Sequence, residues 1–157
     1  MLTLYEAGNE ATWLASFSFH VDVRPRYCEC DGQGHLSNVV YPAYIELSRL
    51  QYFKAVHDPE PHASFAFQHV TAELQLRYLA ACYYDEPLRV ASKLATLGRT
   101  SATMEQAVLG PDDSIRAFAR IAIVRAGADG NATQPWSNLQ RVALETFADR
   151  TFSVIAR

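Results

Sequence analysis

Alternation of apolar and polar residues over much of the chain after residue 69 restricts its fold more than any other feature. Apolar side chains occupy every second position in 70–77 and again in 115–123, the period of strands that bury one face. A further strand begins at Leu88, after the turn residues Asp-Glu-Pro at 85–87. Gly-Pro-Asp-Asp at 110–113 has the composition and length of a hairpin turn. The sequence therefore predicts three or four long antiparallel strands.

One segment, 42–56, follows a different period. Its apolar residues recur at spacings of three and four, as on one face of a helix: Tyr44, Ile45, Leu47, Leu50 and Phe53. Pro42 suits the first helical position, because its missing N–H costs nothing there and its φ is already helical. Proline also disfavours helical geometry at the residue before it. We therefore expect a helix that begins at Pro42, with Tyr41 as its cap.

The remaining segments extend this pattern at both ends. Residues 17–23 alternate like a strand, whereas residues 1–15 show only a loose pattern. Residues 57–67 are predicted to form a loop, whose Phe65 and Phe67 would line a pocket or pack in the core. Near the end, 137–149 has the stripe of a short helix. Ser137 and Gln140 form its candidate capping box.

These elements predict one α+β domain spanning residues 1–157, with a core of about 17–126. There is no repeat, low-complexity tract or internal linker. A single long helix cannot cover both faces of such a sheet, but it can fill the concave side of a curved one. The short helix at 137–149 would follow this core.

Composition and charge exclude several classes of function. The 49% apolar and 20% charged residues are typical of a globular chain, and 14 basic against 17 acidic side chains disfavour nucleic acid as a partner. No apolar stretch is long enough to span a membrane, and residues 1–23 lack the Lys or Arg of a secretory signal. Three cysteines do not suggest a disulfide framework. We expect a cytoplasmic protein.

The segment 27–44 carries the candidate chemistry. Asp31 lies where a strand gives way to a Gly-rich turn, ten residues before the helix cap. Unpaired N–H groups at a helix start can polarise a carbonyl and stabilise an oxyanion. A carboxylate facing that carbonyl can act as a general base or a nucleophile, so the segment suits acyl transfer. The alternative is structural, because Asp-Gly is common in turns and an aspartate there hydrogen-bonds the backbone.

This segment resembles the hotdog-fold acyl-CoA thioesterases of the 4-hydroxybenzoyl-CoA thioesterase type, which include the broad bacterial acyl-CoA thioester hydrolases. Their pattern is Tyr-x-Glu-(Thr/Cys)-Asp-x-x-Gly-His-(Val/Leu)-Asn-Asn-x-x-Tyr, and the chain departs from it only at Ser37. The matching residues are Tyr27, Glu29, Cys30, Asp31, Gly34, His35, Leu36, Asn38 and Tyr41. Similarity continues through 74–90 and 99–101, so the resemblance covers residues 17–126.

The resemblance implies a hotdog fold, in which an antiparallel sheet wraps around a long central helix. Subunits of that family pair edge to edge, so a homodimer or homotetramer with its active site at the interface is expected. The implied reaction is hydrolysis of an acyl-CoA or acyl-carrier-protein thioester to free acid and thiol. It requires no metal and no organic cofactor.

Residue roles follow from the same resemblance. Asp31 matches the carboxylate that attacks the thioester carbonyl or activates water, and Tyr41 matches the helix-start residue whose backbone N–H polarises that carbonyl. His35 and Asn38 are expected either to orient water or to hold the Gly-rich turn against the helix. Glu29 would share a face with Asp31 if the strand continued. A structural role for Glu29 is favoured over that of a reserve base.

Other sites and functions are less favoured. Cys28 and Cys30 form a C-x-C without a second pair, so no metal site is predicted. Four basic residues are candidates for the CoA phosphates, or else solvated strand charges: Arg77, Arg89, Lys93 and Arg99. A hotdog hydratase or dehydratase is disfavoured, because three residues without Asn-Pro separate Asp31 from His35. A non-catalytic module that binds acyl thioesters remains an alternative.

Overall fold

The structure, a computed structural model, describes residues 10–17, 19–56, 68–127, 132–148 and the backbone of 152–155. The α-helices in these segments are α1 (Glu10–Ala15), α2 (Tyr41–Ala55) and α3 (Asn138–Ala148). The strands are β1 (Phe19–Val23), β2 (His69–Tyr78), β3 (Leu88–Leu97), β4 (Ser101–Leu109), β5 (Ile115–Arg125) and β6 (Phe152–Ile155). The predicted α+β class is confirmed. The loop predicted at 57–67, with Phe65 and Phe67, lies outside the described residues.

The six strands form one sheet in the order β2-β5-β4-β3-β1-β6. Strands β1 to β5 pair antiparallel, and β6 pairs parallel with β1. The predicted turn at 110–113 joins β4 to β5, closed by a 3.1 Å hydrogen bond from Asp113 N to Gly110 O. The sequence did not lead us to expect β6, because four residues are too few to display a two-residue period.

Helix α2 packs across one face of the sheet, and the main core lies between them. We call this the inner face; it carries alternate residues of four strands, including Val21, Val90, Met104 and Ile121. Ile45 and Tyr52 of α2 are fully buried against it. The predicted packing of one long helix against one face of the sheet is therefore confirmed.

Two details of α2 differ from the prediction. The helix begins at Tyr41 rather than Pro42, and its cap is Val40, whose φ of −83° and ψ of −31° are already helical. Val40 N donates to Ser37 O at 2.9 Å, so the chain is wound before it reaches the proline. Leu50, predicted on the apolar stripe, is instead 44% exposed. The buried stripe includes Ser48, which hydrogen-bonds Ser92 and Val90 O on β3, and Arg49.

A bulge in β2 changes which of its residues face the helix. The pairing with β5 shifts between Thr71 and Glu73, so that Thr71 pairs with Ile123 and Leu74 with Ile121, both on the inner face. A 2.7 Å hydrogen bond from Arg49 of α2 to Thr71 Oγ1 is consistent with this assignment. The alternation predicted from Val70 to Arg77 therefore does not hold as a single face, because the bulge inserts one residue.

The outer face of the sheet carries a second, smaller apolar cluster that α1 covers. Trp13 and Leu14 pack on Phe17, which precedes β1, and on residues of the outer face: Ala91, Ala107, Leu109, Ile115 and Phe118. Trp13 Nε1 donates to Glu105 at 3.0 Å, and Lys93 Nζ lies 3.0 Å from the same carboxylate. The sequence showed only a loose pattern before residue 16. Helix α1 was not predicted, because a helix of six residues with two inward side chains is too short to show an apolar stripe.

Helix α3 begins with the predicted capping box. Ser137 Oγ accepts the N–H of Gln140 at 3.2 Å, and Gln140 Oε1 accepts the N–H of Ser137 at 3.0 Å. The described helix ends at Ala148. Leu144 and Phe147 are buried, and the Phe147 ring contacts that of Tyr52 with centroids 4.9 Å apart. The C-terminal helix therefore extends the core beside α2.

Candidate active site

Asp31 lies in a tight loop that its own carboxylate organises. Asp31 Oδ1 accepts the backbone N–H groups of Gln33 at 2.8 Å and of His35 at 3.2 Å. Gly34 has a φ of +80°, a left-handed conformation that glycine adopts without strain. The Gly-rich turn is therefore folded around the Asp31 side chain, as is usual for aspartate in an Asx turn.

This hydrogen bonding uses only half of the Asp31 carboxylate. Both N–H donors share Oδ1, and Oδ2 accepts no hydrogen bond within the described part of the chain. The residue is exposed. The structural role considered for Asp31 is therefore present, and it leaves one carboxylate oxygen free to face a ligand.

Backbone pairing holds this loop against the segment between β2 and β3. Cys30 pairs with Leu36 across the loop, and Leu36 N donates to Cys82 O at 2.8 Å. His35 pairs with Tyr83, and their rings lie edge to face with centroids 5.4 Å apart. These contacts fit the turn-holding role that is one of the two expected for His35.

The first turn of α2 meets the same segment. Tyr41 is buried, its hydroxyl lies close enough to Cys82 to interact with it, and its ring lies edge to face with Tyr78, centroids 5.1 Å apart. Burial is the main cause that raises the pKa of the Tyr41 hydroxyl. Tyr78 Oη donates to the backbone oxygen of Asn38 at 2.9 Å. Asn38 and Tyr41 therefore lie together at one end of β2, and Cys82 contacts both Tyr41 and the Asp31 loop.

The start of α2 also offers a backbone N–H to a ligand. The N–H groups of Ala43 and Tyr44 both donate to Val40 O, and Pro42 has none. The N–H of Tyr41 has no partner among the residues that the structure describes, as is usual in a first helical turn. The helix macrodipole adds partial positive charge at this point, so the position favours a negatively charged oxygen.

Glu29 connects the loop to the helix. Strand β1 ends at Val23, and a 3-10 turn at Tyr27–Glu29 follows, so the predicted continuation of the strand toward Asp31 is wrong. The Glu29 carboxylate instead accepts the Tyr44 hydroxyl at 2.7 Å and two N–H groups of Arg26 at 2.7 Å each. Both of its oxygens are therefore engaged, which fits the structural role favoured from the sequence.

Burial alone would raise the pKa of Glu29. The hydrogen bonds from the side chain and backbone of Arg26 and from Tyr44 outweigh that effect and lower the pKa to about 2. Glu29 is therefore ionised throughout the neutral range. Burial and the hydrogen bond to Glu29 together raise the pKa of the Tyr44 hydroxyl, which keeps Tyr44 a donor.

Sequence reasoning missed three residues that hold the site together, namely Tyr78, Cys82 and Tyr83. Tyr78 stands at the end of β2 on the inner face, paired with Ala117 of β5. It continues the face of Leu74 and Leu76 that the alternation predicts, but no local pattern shows that its hydroxyl reaches the backbone oxygen of Asn38. Cys82 and Tyr83 lie in an irregular segment, where the sequence gives no sign of which distant residues they contact.

The basic residues considered for phosphate binding differ in how far they are engaged. Arg89 pairs with Asp113, and Lys93 pairs with Glu105. Arg77 and Arg99 are exposed. The two paired residues are therefore already neutralised within the chain, which disfavours them as phosphate ligands.

Other surfaces of the described chain are weaker candidates for a functional site than the Asp31 loop and the start of α2. A cavity of about 530 Å³ is lined by Asp22, Val23, Arg24, Pro87, Leu88, Arg89, Gly110 and Pro111, and includes none of the candidate catalytic residues. Across the described ranges, no three His, Cys, Asp or Glu residues are grouped as metal ligands. No helix in the described part of the chain has the length and apolar character needed to cross a membrane.

The match to a family model places the chain in a class. Residues 33–116, more than half of the chain, match the model of the thioesterase superfamily, and the chain belongs to that family. The matched range includes His35, Asn38 and Tyr41 but begins after Asp31. With the observed sheet and central helix, this confirms the predicted hotdog fold.

Similar proteins agree with this class. A thioesterase of Thermus thermophilus, solved with coenzyme A and Zn, is 25% identical with a TM-score of 0.76, covering 87% of this chain and 98% of that one. Protein SAV2348 of Staphylococcus aureus, solved with CoA, is 8% identical over 88% of this chain and 89% of its own, and its TM-score of 0.74 shows the shared fold. The uncharacterized protein YsmA of Bacillus subtilis is 34% identical over 92 residues. That match spans 59% of this chain and 61% of YsmA, less than two thirds of its length.

Proposed function

We propose that the protein hydrolyses the thioester of an acyl-CoA, or of an acyl-carrier protein, to free acid and thiol. The single observation that carries this proposal is the Asp31 carboxylate, held through Oδ1 by two backbone N–H groups with Oδ2 free, in a chain of the thioesterase superfamily. A side chain immobilised in this way is oriented in advance for attack or proton abstraction.

In the proposed reaction the thioester carbonyl oxygen lies at the start of α2. The Tyr41 N–H donates to it and stabilises the negative charge that develops on attack. Asp31 either takes a proton from water, which attacks the carbonyl, or attacks it directly to form an anhydride that water then cleaves. In both routes the C–S bond breaks, the thiolate takes up a proton, and one water molecule is consumed.

His35 and Asn38 have auxiliary roles in this proposal. His35 holds the turn through Tyr83, and Asn38 stands in the turn that leads into α2, with its backbone oxygen bound by Tyr78. An exposed amide beside the helix start is suited to orient the attacking water. The CoA bound to the Thermus thermophilus and Staphylococcus aureus proteins supports CoA as the carrier of the acyl group.

The proposed active unit contains more than one copy of the chain. Strand β2 pairs with β5 on one side, and its other edge has no partner strand in the described sheet. Its Leu74 and Tyr78 side chains are 39% and 45% exposed. An open edge with exposed apolar residues invites pairing with another strand. A homodimer formed there would bring the second copy beside Tyr78 and the helix start; a homotetramer would pair two such dimers.

The test is thiol release from a panel of acyl- and aroyl-CoA esters, with Asp31→Asn measured beside the wild type. Asparagine can still accept the two loop N–H groups, so the fold should persist. We expect kcat/KM to fall by about 10²- to 10⁴-fold, the usual contribution of a general base. Asp112→Asn is the matched control, because Asp112 likewise holds a turn through one oxygen, bound by Ser114.

Three results distinguish the alternatives. An equal loss of kcat/KM in Asp31→Asn and Asp112→Asn would contradict a catalytic role for Asp31. A wild type that binds acyl-CoA without releasing thiol on any ester would indicate the non-catalytic binding module. Addition of water across an enoyl-CoA double bond, without thiol release, would indicate a hydratase.

A further inference from the structure

The Glu29–Tyr44 hydrogen bond joins the two parts of the proposed site. Its 2.7 Å length links the 3-10 turn to the second turn of α2. Asp31 follows Glu29 by two residues, and Tyr41 precedes Tyr44 by three, about one helical turn. The bond therefore lies between the proposed base and the proposed oxyanion donor, with a short and regular connection on each side.

Further contacts make this connection stiff. Arg26 donates its backbone N–H to the same Glu29 oxygen that accepts Tyr44, and its guanidinium to the other oxygen. The backbone oxygen of Glu29 accepts the N–H of Ser37 at 2.9 Å, which closes the far end of the Asp31 loop onto the same residue. The Glu29 side chain is only 12% exposed, so water competes weakly for these bonds.

We propose that Glu29 and Tyr44 are positioning residues, whose hydrogen bond sets the placement of the Asp31 carboxylate relative to the Tyr41 N–H. The inference rests on the proposed thioesterase function and assigns a part of that site which Asp31 and Tyr41 alone do not explain. Neither residue touches the reacting atoms. Both act through the backbone on either side of them.

A positioning role predicts different results for two substitutions of Glu29. In Glu29→Gln the amide oxygen can occupy the position of the oxygen that accepts Tyr44 and Arg26 N–H, so the connection to α2 is kept while the charge is lost. In Glu29→Ala nothing accepts the Tyr44 hydroxyl. A reserve base would be inactivated by both changes, and an ion pair with Arg26 would also be lost in both.

The experiment measures kcat and KM for a CoA ester that the wild type hydrolyses. We expect Glu29→Ala and Tyr44→Phe each to lower kcat by on the order of 10²-fold with KM changed less than about threefold, because small misplacement affects the reacting geometry more than binding. Glu29→Gln should stay within about threefold of the wild type. The double variant Glu29→Ala/Tyr44→Phe should cost no more than the worse single variant, because both remove one bond.

The matched control is Tyr84→Phe. Tyr84 is exposed and its ring packs on Tyr27 beside the same 3-10 turn, so this change removes a nearby hydroxyl without touching the connection. We expect its kcat and KM to equal those of the wild type. Thermal unfolding of every variant shows that the assay temperature lies below its transition.

A second measurement does not depend on activity. Hydrogen exchange followed by mass spectrometry should be faster across 30–37 in Tyr44→Phe and Glu29→Ala, but not in Glu29→Gln or across α3. Full activity of Tyr44→Phe, or inactivity of folded Glu29→Gln, would overturn the proposal, as would unchanged exchange in both disrupting variants. If the wild type releases no thiol from any ester, the proposed function fails, while the exchange result still decides whether the bond holds the loop.

Discussion

Two carboxylates separated by one residue have different surroundings in this chain. Glu29 uses both oxygens in hydrogen bonds and is mostly buried, whereas Asp31 uses one oxygen and is exposed. A carboxylate with every acceptor satisfied is suited to hold structure, and one with a free oxygen is suited to react. Side-chain type alone does not separate these roles, but hydrogen-bond partners do.

The same surroundings predict how stability depends on pH. The pKa of Glu29 is lowered from its ordinary 4.5 to about 2 in the folded chain, so its ionised form stabilises the fold above about pH 4.5. That contribution should be lost progressively as the pH falls from about 4.5 to about 2, because both the folded and the unfolded chain are then protonated. Denaturant unfolding across this range should show a smaller loss in Glu29→Gln than in the wild type.

Glu145→Gln serves as the comparison for this effect. Glu145 forms an exposed pair with Arg141 at 3.5 Å, which contributes little in water. Its substitution should leave the pH dependence of the wild type unchanged. A Glu29→Gln variant with the full acid-induced loss of the wild type would show that Glu29 does not carry this dependence.

Single residues also show the limit of sequence patterns. Ser48, Ser92 and Gln106 are fully buried between α2 and the sheet, where Gln106 Nε2 donates to Ser92 Oγ at 2.8 Å and to Ile45 O at 2.9 Å. Hydrophobic periodicity places apolar residues in a core and says nothing about buried polar residues that hydrogen-bond one another. Periodicity therefore predicted that Leu50 is buried, whereas the structure buries Ser48 instead.

At the scale of elements, long periodic segments were predicted well and irregularities were not. Strands β3 and β5 and the hairpin at 110–113 lie where the pattern placed them. The bulge in β2 was missed, since an inserted residue changes the facing of a strand without changing its composition. The N-terminus of α2 was misplaced by one residue, because the turn at Ser37–Val40 overrides the preference of the residue before a proline.

The capping box of α3 gives a prediction at this scale. Ser137→Ala removes the side-chain acceptor for the N–H of Gln140, and we expect the free energy of unfolding to fall by about 1 kcal/mol. Denaturant titration followed by circular dichroism measures it. Thr146→Ala, an exposed change on the same helix, should alter stability much less. If the two substitutions lowered the free energy of unfolding equally, the capping box would have no stabilising effect of its own.

At the scale of the molecule, the described sheet has two edge strands, each paired with one neighbouring strand. Strand β6 pairs with β1 and β2 pairs with β5, and β2 carries the exposed apolar residues Leu74 and Tyr78. The outer face is partly covered by α1 through Trp13 and Leu14. Because β2 combines an edge unpaired in the described sheet with exposed apolar residues, it is the edge at which we propose that a second copy pairs.

Leu74→Lys tests this proposed pairing. In a symmetric dimer the substitution places one lysine from each copy at the same edge, so we expect the assembly to dissociate toward monomers. Light scattering coupled to size exclusion measures the mass. Leu139→Lys is the control, because Leu139 is exposed on α3 and distant in sequence from β2. A monomeric wild type, or an unchanged mass in Leu74→Lys, would contradict pairing through β2.

The sequence by itself determined the α+β class, the long helix, most of the strands and the segment that holds the candidate site. It did so because periodicity and turn residues are local, and the motif around Asp31 is continuous in the chain. Only the tertiary structure decided that Glu29 binds Tyr44, that Cys82 contacts both Tyr41 and the Asp31 loop, and which strands lie at the edges of the sheet. These depend on contacts between segments far apart in sequence, which packing selects and no local pattern encodes.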